Sequence, residues 1–164
     1  MIVVSNSSPL IALAKVGLLN LLKELFGEIR IPRAVWVEVV EHGRGKPGSE
    51  EVAKAEWIKV HGVSDRLAVE ILRREMGSGE AETIVLAKEL GADLILMDDE
   101  KPREVARQLG LKIAGTIAIL VRAWRKGLLA RSPVDVALEM RAKGVWISDE
   151  LLQKLRSLIE GSRS

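Results

Sequence analysis

Leu94-Ile95-Leu96-Met97-Asp98-Asp99-Glu100 is a run of four apolar residues that stops on three consecutive carboxylates. So short and uniformly apolar a run reads as a strand buried on both faces, as in a parallel sheet covered by helices. In open α/β sheets ligands bind beyond the carboxyl ends of the strands, so these acids stand where a site is expected. The start of the chain repeats the arrangement: Ile2-Val3-Val4 runs into Ser5-Asn6-Ser7-Ser8-Pro9, a polar turn that doubles as a helix start. Two strands thus deliver oxygen-bearing side chains to what would be one edge. Glu38, and the pair Glu80 and Glu82, lie on helices between them. Together they would form an oxygen-only set of the kind that a hard divalent cation such as Mg²⁺ or Mn²⁺ prefers.

Working outward, hydrophobic periodicity and Gly/Pro punctuation divide the rest of the chain. After a strand at 2–5, Ser8 is expected to cap a helix with Pro9 in its first turn and Leu10, Leu13 and Ala14 on its buried face. A second helix at 18–26 closes on Gly27, a strand follows at 28–31, and Pro32 opens a helix from 33 to about 41. Ala34, Val35 and Val39 would face inward there, with Glu38 one turn from Ala34. The Gly-, Lys- and Arg-rich segment 42–49 reads as the most mobile loop. Beyond it the pattern predicts a helix at 50–55, an edge strand at 57–60, a helix at 65–76 broken by Gly77-Ser78-Gly79, and a helix at 80–90 stopped by Gly91. Strand 93–97, helix 102–109, strand 111–114 and helix 116–126 complete a β-α-β-α alternation, with final helices at about 133–142 and 148–160. The class is α/β, in one domain over 1–164, with helices on both faces of a mainly parallel sheet.

Composition agrees. The 164 residues are 48% hydrophobic and 29% charged, and a domain of this size buries roughly 70% of its unfolded surface. The formal charge is only +2, yet Arg103, Arg107, Lys112, Arg122, Arg125, Lys126 and Arg131 cluster in sequence. They read either as a solvated face or as a footprint for a polyanion. There is no cysteine, which excludes disulfides and thiolate metal sites and points to the cytoplasm. The apolar stretch 113–124 carries Arg122 and falls well short of the roughly 20 residues needed to span a bilayer, so no membrane partner is expected.

Taken singly, each candidate has a simpler role. Glu80 and Glu82 suit the first turn of a helix, with Ser78 as a cap. Asp98 or Asp99 would cap helix 102–109, Asn6 and Ser8 would be turn residues, and Glu38 a solvated helix residue. What favours a site is joint placement, because the strand ends at 5 and 97 share one edge of a parallel sheet. His42 and His61 lack metal-ligand spacing, and the four tryptophans, Trp36, Trp57, Trp124 and Trp146, read as packing residues rather than base-stacking platforms.

The motifs Ile2-Val3-Val4-Ser5-Asn6-Ser7-Ser8-Pro9-Leu10-Ile11, Ile31-Pro32-Arg33-Ala34-Val35-Trp36-Val37-Glu38, Gly79-Glu80-Ala81-Glu82-Thr83 and Leu94-Ile95-Leu96-Met97-Asp98-Asp99, in that order, resemble the PIN-domain family. The order is similar to a prokaryotic subfamily related to the toxins of VapBC-type toxin–antitoxin modules, over about residues 1–130. The resemblance implies a three-layer α/β/α sandwich and a metal-dependent ribonuclease whose acids bind Mg²⁺ or Mn²⁺ and activate water against a phosphodiester. By position the four family acids fall on Asn6, Glu38, Glu80 and Asp98, with Asp99 as a further metal ligand and Ser8 and Glu82 as auxiliaries. Lys101, Arg103 and Arg107 would hold the RNA backbone. Implied partners are RNA, an antitoxin protein and a second copy of the chain. Asn6 departs from the family's usual aspartate and brings a neutral oxygen without charge or base. A degenerate fold that binds RNA or protein without cleaving therefore stands as the alternative. A phosphotransfer domain would need an aspartate nucleophile where Asn6 stands.

Overall fold

The alternation of short apolar strands with amphipathic helices folds into one layered unit; the structure, a computed structural model, describes residues 1–163. Five strands, β1 (Val3–Ser5), β2 (Ile29–Pro32), β3 (Ile58–His61), β4 (Leu94–Leu96) and β5 (Ile113–Ala114), form one sheet in the order β3-β2-β1-β4-β5. Every pairing is parallel, with Val3, Val4 and Ser5 opposite Leu94, Ile95 and Leu96. The sheet is thus parallel throughout.

Strand periodicity of two sorts the core into layers. Val3, Leu94 and Leu96 point into one cluster, built with α1 (Ser7–Lys15), α2 (Asn20–Phe26), α8 (Thr116–Arg125), α9 (Pro133–Ala142) and α10 (Asp149–Arg163). Val4, Ile95 and Met97 point to the other face, against Ile84, Leu86 and Ala87 of α6 (Ser78–Leu90) and Ala106 of α7 (Glu100–Gln108). Val69 of α5 (Arg66–Leu72) packs on Ala81 and Val85 at that side. Burial on both faces explains why these strands carry no polar alternation. The result is the three-layer α/β/α sandwich. The chain lays β2 and β3 on one side of β1, then returns to place β4 and β5 on the other, so the switch in strand order falls between β1 and β4.

Local boundaries shift for physical reasons. α1 begins at Ser7, with Asn6 rather than Ser8 at its N-cap. α3 (Arg33–Trp36) continues as a π-helical turn over Val37–Glu41, and α4 spans Ser49–Lys54. The expected mobile loop is tied at its end, since the Ser49 hydroxyl donates to the Val40 carbonyl at 2.9 Å. Ser78 and Gly79 lie inside α6 instead of breaking the chain, and Gly77 takes the N-cap position. Gly91 does close α6, at a φ of 62° that suits glycine.

Candidate active site at the carboxyl edge of the sheet

β1 and β4 end side by side, and the Asn6 N–H donates to the Leu96 carbonyl at 2.9 Å. Asn6 is buried, and its Oδ1 has no hydrogen-bond partner. A buried amide oxygen is costly without a partner, and a water or a cation could each supply one here. The next residue, Ser7, donates its hydroxyl to Glu38 Oε2 at 2.9 Å. This bond ties the start of α1 to the π-helical turn after α3. The resemblance points to Ser8, two residues after Asn6, but the Ser8 hydroxyl is buried without a partner and Ser7 makes the contact.

Glu38 lies directly over Gly79 in the first turn of α6, so close that a Cβ at Gly79 would collide with Glu38 Oε1. Glu80 follows in the same turn, and its Oε1 accepts from the Gly77 N–H at 3.1 Å. The pKa of Glu80 is raised to about 7, chiefly by burial, then by its hydrogen bond with the Asp99 carboxyl and by the charges of Asp99 and Glu38. The Gly77 N–H pulls the other way. Glu38, Glu80 and Asp99 therefore feel one another, although they come from three different elements. Asp99 stands at the N-cap of α7 without bonding into it, so its side chain is available to Glu80.

Asp98 turns elsewhere. Its Oδ1 accepts from the Thr116 N–H at 2.7 Å and its Oδ2 from the Thr116 hydroxyl at 2.7 Å, fixing the start of α8. Arg103 lies beside it, donating to the Met97 carbonyl at 3.0 Å and hemmed in by Gly115. Glu82 also leaves the cluster: its Oε1 accepts from the Ala34 N–H at 3.0 Å and its Oε2 from Arg66 at 3.0 Å. Of the candidate RNA-binding cations, Arg107 pairs with Glu100 at 3.1 Å, Arg103 is half-buried, and Lys101 is exposed.

Among the described residues no group of three or more acids or histidines is already arranged to hold a metal ion. The donor chemistry nonetheless fits one. Glu38, Glu80 and Asp99 are hard oxygen donors, two of them acting on the third, and Asn6, the residue before the Ser7 that bonds Glu38, offers an unpartnered oxygen. A cation bound there would offset the charges of Asp99 and Glu38 on Glu80.

Beyond the acids, a groove of about 1700 Å³ begins at Ser8, Asp98 and Asp99 and runs between α7, α8 and α10 past Trp146. Trp146 is 89% exposed. That reverses the packing role expected of it; Trp36, Trp57 and Trp124 are partly buried against the core. Ser7, Gly79 and Thr116 make contacts to which motif reading assigns no role. Only Gly79, fixed in sequence before Glu80, carried a usable signal. No helix among the described residues is long and apolar enough to cross a membrane.

A family model described as a PIN domain matches residues 2–161. No curated protein matches the chain.

Proposed function

The chain belongs to the PIN-domain family, and from that premise we propose that it is a metal-dependent ribonuclease hydrolysing RNA phosphodiesters with Mg²⁺ or Mn²⁺. PIN domains are generally nucleases and typically use divalent metal ions. The observation that carries the finer reading is that Glu80 has both Asp99 and Glu38 as charged neighbours, while Asn6, at the carboxyl end of β1, presents a buried oxygen with no partner. These four residues would hold the ion, which when bound stabilises charge on the phosphate oxygens and acidifies water. Ser7 keeps Glu38 turned toward the edge, and Gly79 leaves it room. Glu80, with its pKa raised to about 7, is a carboxyl group able to take up the proton of an attacking water. Water adds to phosphorus, the bond to the leaving oxygen breaks, and no side chain is needed as nucleophile. Asp98 serves this edge from behind, by anchoring α8.

The order of motifs that resembles the toxin subfamily supports a toxin role, with an antitoxin protein as partner, a homodimer as the working form and the cytoplasm as its place. The test is cleavage of a mixed single-stranded RNA pool with Mg²⁺ or Mn²⁺. Cleavage that disappears with EDTA and in Asp99→Asn supports the reading; a folded natural chain that leaves RNA intact sinks it. Asn6 supports a second reading, in which the site binds RNA or a protein without cleaving. Asn6→Asp separates the two: if metal-dependent cleavage arises only in that variant, the natural chain is a binding protein.

A further inference from the structure

We propose that the groove leading away from the acids is a track for single-stranded RNA, with Trp146 as the platform on which a base stacks; the proposal rests on the ribonuclease reading and extends it. The groove's volume of about 1700 Å³ exceeds the roughly 300–1,000 Å³ of pockets that enclose a small molecule, which suits a polymer passing through. Its charge is sorted. Asp98, Asp99 and Glu100 are its acids, at the end where β4 stops, and Lys15, Lys112, Arg125 and Lys126 are among its basic residues, set in a lining whose other side chains are mostly apolar, Ile117, Val121 and Leu155 among them. None of these four cations forms an ion pair among the described residues. Unpaired cations arrayed along one groove attract the phosphates of a polyanion.

Trp146 supplies what a purely electrostatic track lacks. The turn that carries it lies between α9 and α10 and is anchored by Ile147, only 5% exposed, so the backbone is held while the indole stands in solvent. An exposed indole on an anchored segment offers a flat face to any base, and it can be used only by a strand whose bases are free of a duplex. The strand would thus stack at Trp146 and lead toward the acids at the β4 end, its phosphates held by the cations of the groove.

The test measures binding of a short fluorescein-labelled single-stranded RNA by polarisation, using the full chain in EDTA so that binding is read without cleavage. Trp146→Ala should weaken binding about tenfold, in line with the loss of one stacked base, while Trp146→Phe retains most of the affinity. The double variant Lys112→Glu, Lys126→Glu should weaken binding and flatten its salt dependence. A duplex of the same length should be indifferent to Trp146. The track is overturned if Trp146→Ala binds like the natural chain, if Phe and Ala behave alike, or if no RNA binds. It is also overturned if Trp146→Ala instead changes the sedimenting mass, which would make the groove a protein interface. Trp146-dependent binding without cleavage in Mg²⁺ or Mn²⁺ would remove the ribonuclease reading alone. Cleavage with Trp146-independent binding would remove the track alone.

Discussion

Thr116 holds both carboxylate oxygens of Asp98, one through its backbone N–H and one through its hydroxyl, each at 2.7 Å. Asp98 is therefore the cap of α8, and its neighbour Asp99 is the residue that meets Glu80. Asp98→Ala should lower stability by about 1–2 kcal/mol, since it strips an N-terminal N–H and a buried hydroxyl of their acceptor. Asp99→Ala should leave stability unchanged or raised, because it relieves a crowded carboxyl pair. Urea unfolding of the two variants distinguishes them, and equal losses would contradict this division of roles.

The raised pKa of Glu80 sets a pH dependence whose sign is definite. Its folded value of about 7 lies above the group's ordinary 4.5, so between these limits the folded chain binds the extra proton. That contribution to stability is fully present below the lower limit and is lost as pH rises through about 7. In EDTA the melting temperature of the natural chain should fall across this window more than that of Asp99→Asn. Because a metal ligand must be deprotonated, Mn²⁺ should raise the melting temperature more at pH 8 than at pH 5.5. A stabilisation by Mn²⁺ that does not change with pH would rule out Glu80 as a ligand.

Gly79→Ala tests the contact on which the position of Glu38 depends. In a helix interior this substitution ordinarily stabilises by roughly 0.5–1 kcal/mol. Here the new methyl group would land on Glu38 Oε1 and push the carboxylate off the edge. RNA cleavage should drop by an order of magnitude or more while the thermal midpoint moves little, because Glu38 is exposed and free to swing away. Undiminished cleavage would show that Glu38 need not lie over α6.

Glu82 should prove structural. Glu82→Ala leaves the Ala34 N–H and Arg66 without their acceptor, a loss of about 2–3 kcal/mol in a mostly buried carboxylate. Glu82→Gln keeps an oxygen for Ala34 and should recover most of it, since Arg66 is half exposed and its ion pair worth little. Cleavage per folded molecule should be normal in both, by comparing active fraction with circular dichroism.

β1 and β4 were legible because burial on both faces leaves a mark that polar residues cannot imitate, and each ends on a polar break. Which carboxylate goes where was less legible, for reasons of geometry. Residues two apart on a helix face away from each other, so Glu82 cannot join Glu80. Adjacent residues leaving a strand point to opposite sides, so Asp98 and Asp99 part company at once. Ser8 has the family spacing, but the helix begins one residue earlier and it is Ser7 that faces Glu38. The π-helical turn at Val37–Glu41 and the exposure of Trp146 have no local signature, because both are settled by what packs around them.

β1 and β4 are neighbours in the sheet, yet almost the whole of the first half of the chain is threaded between them. During synthesis β1, β2 and β3 emerge with all the connections they need to pair, but the edge that gathers Asn6, Glu80 and Asp99 does not exist until β4 has slotted in beside β1. Contacts this distant in sequence form late and lose the most chain entropy on closing. A nascent or prematurely terminated chain ending before Leu94 would therefore carry three of the five strands and no assembled acid cluster.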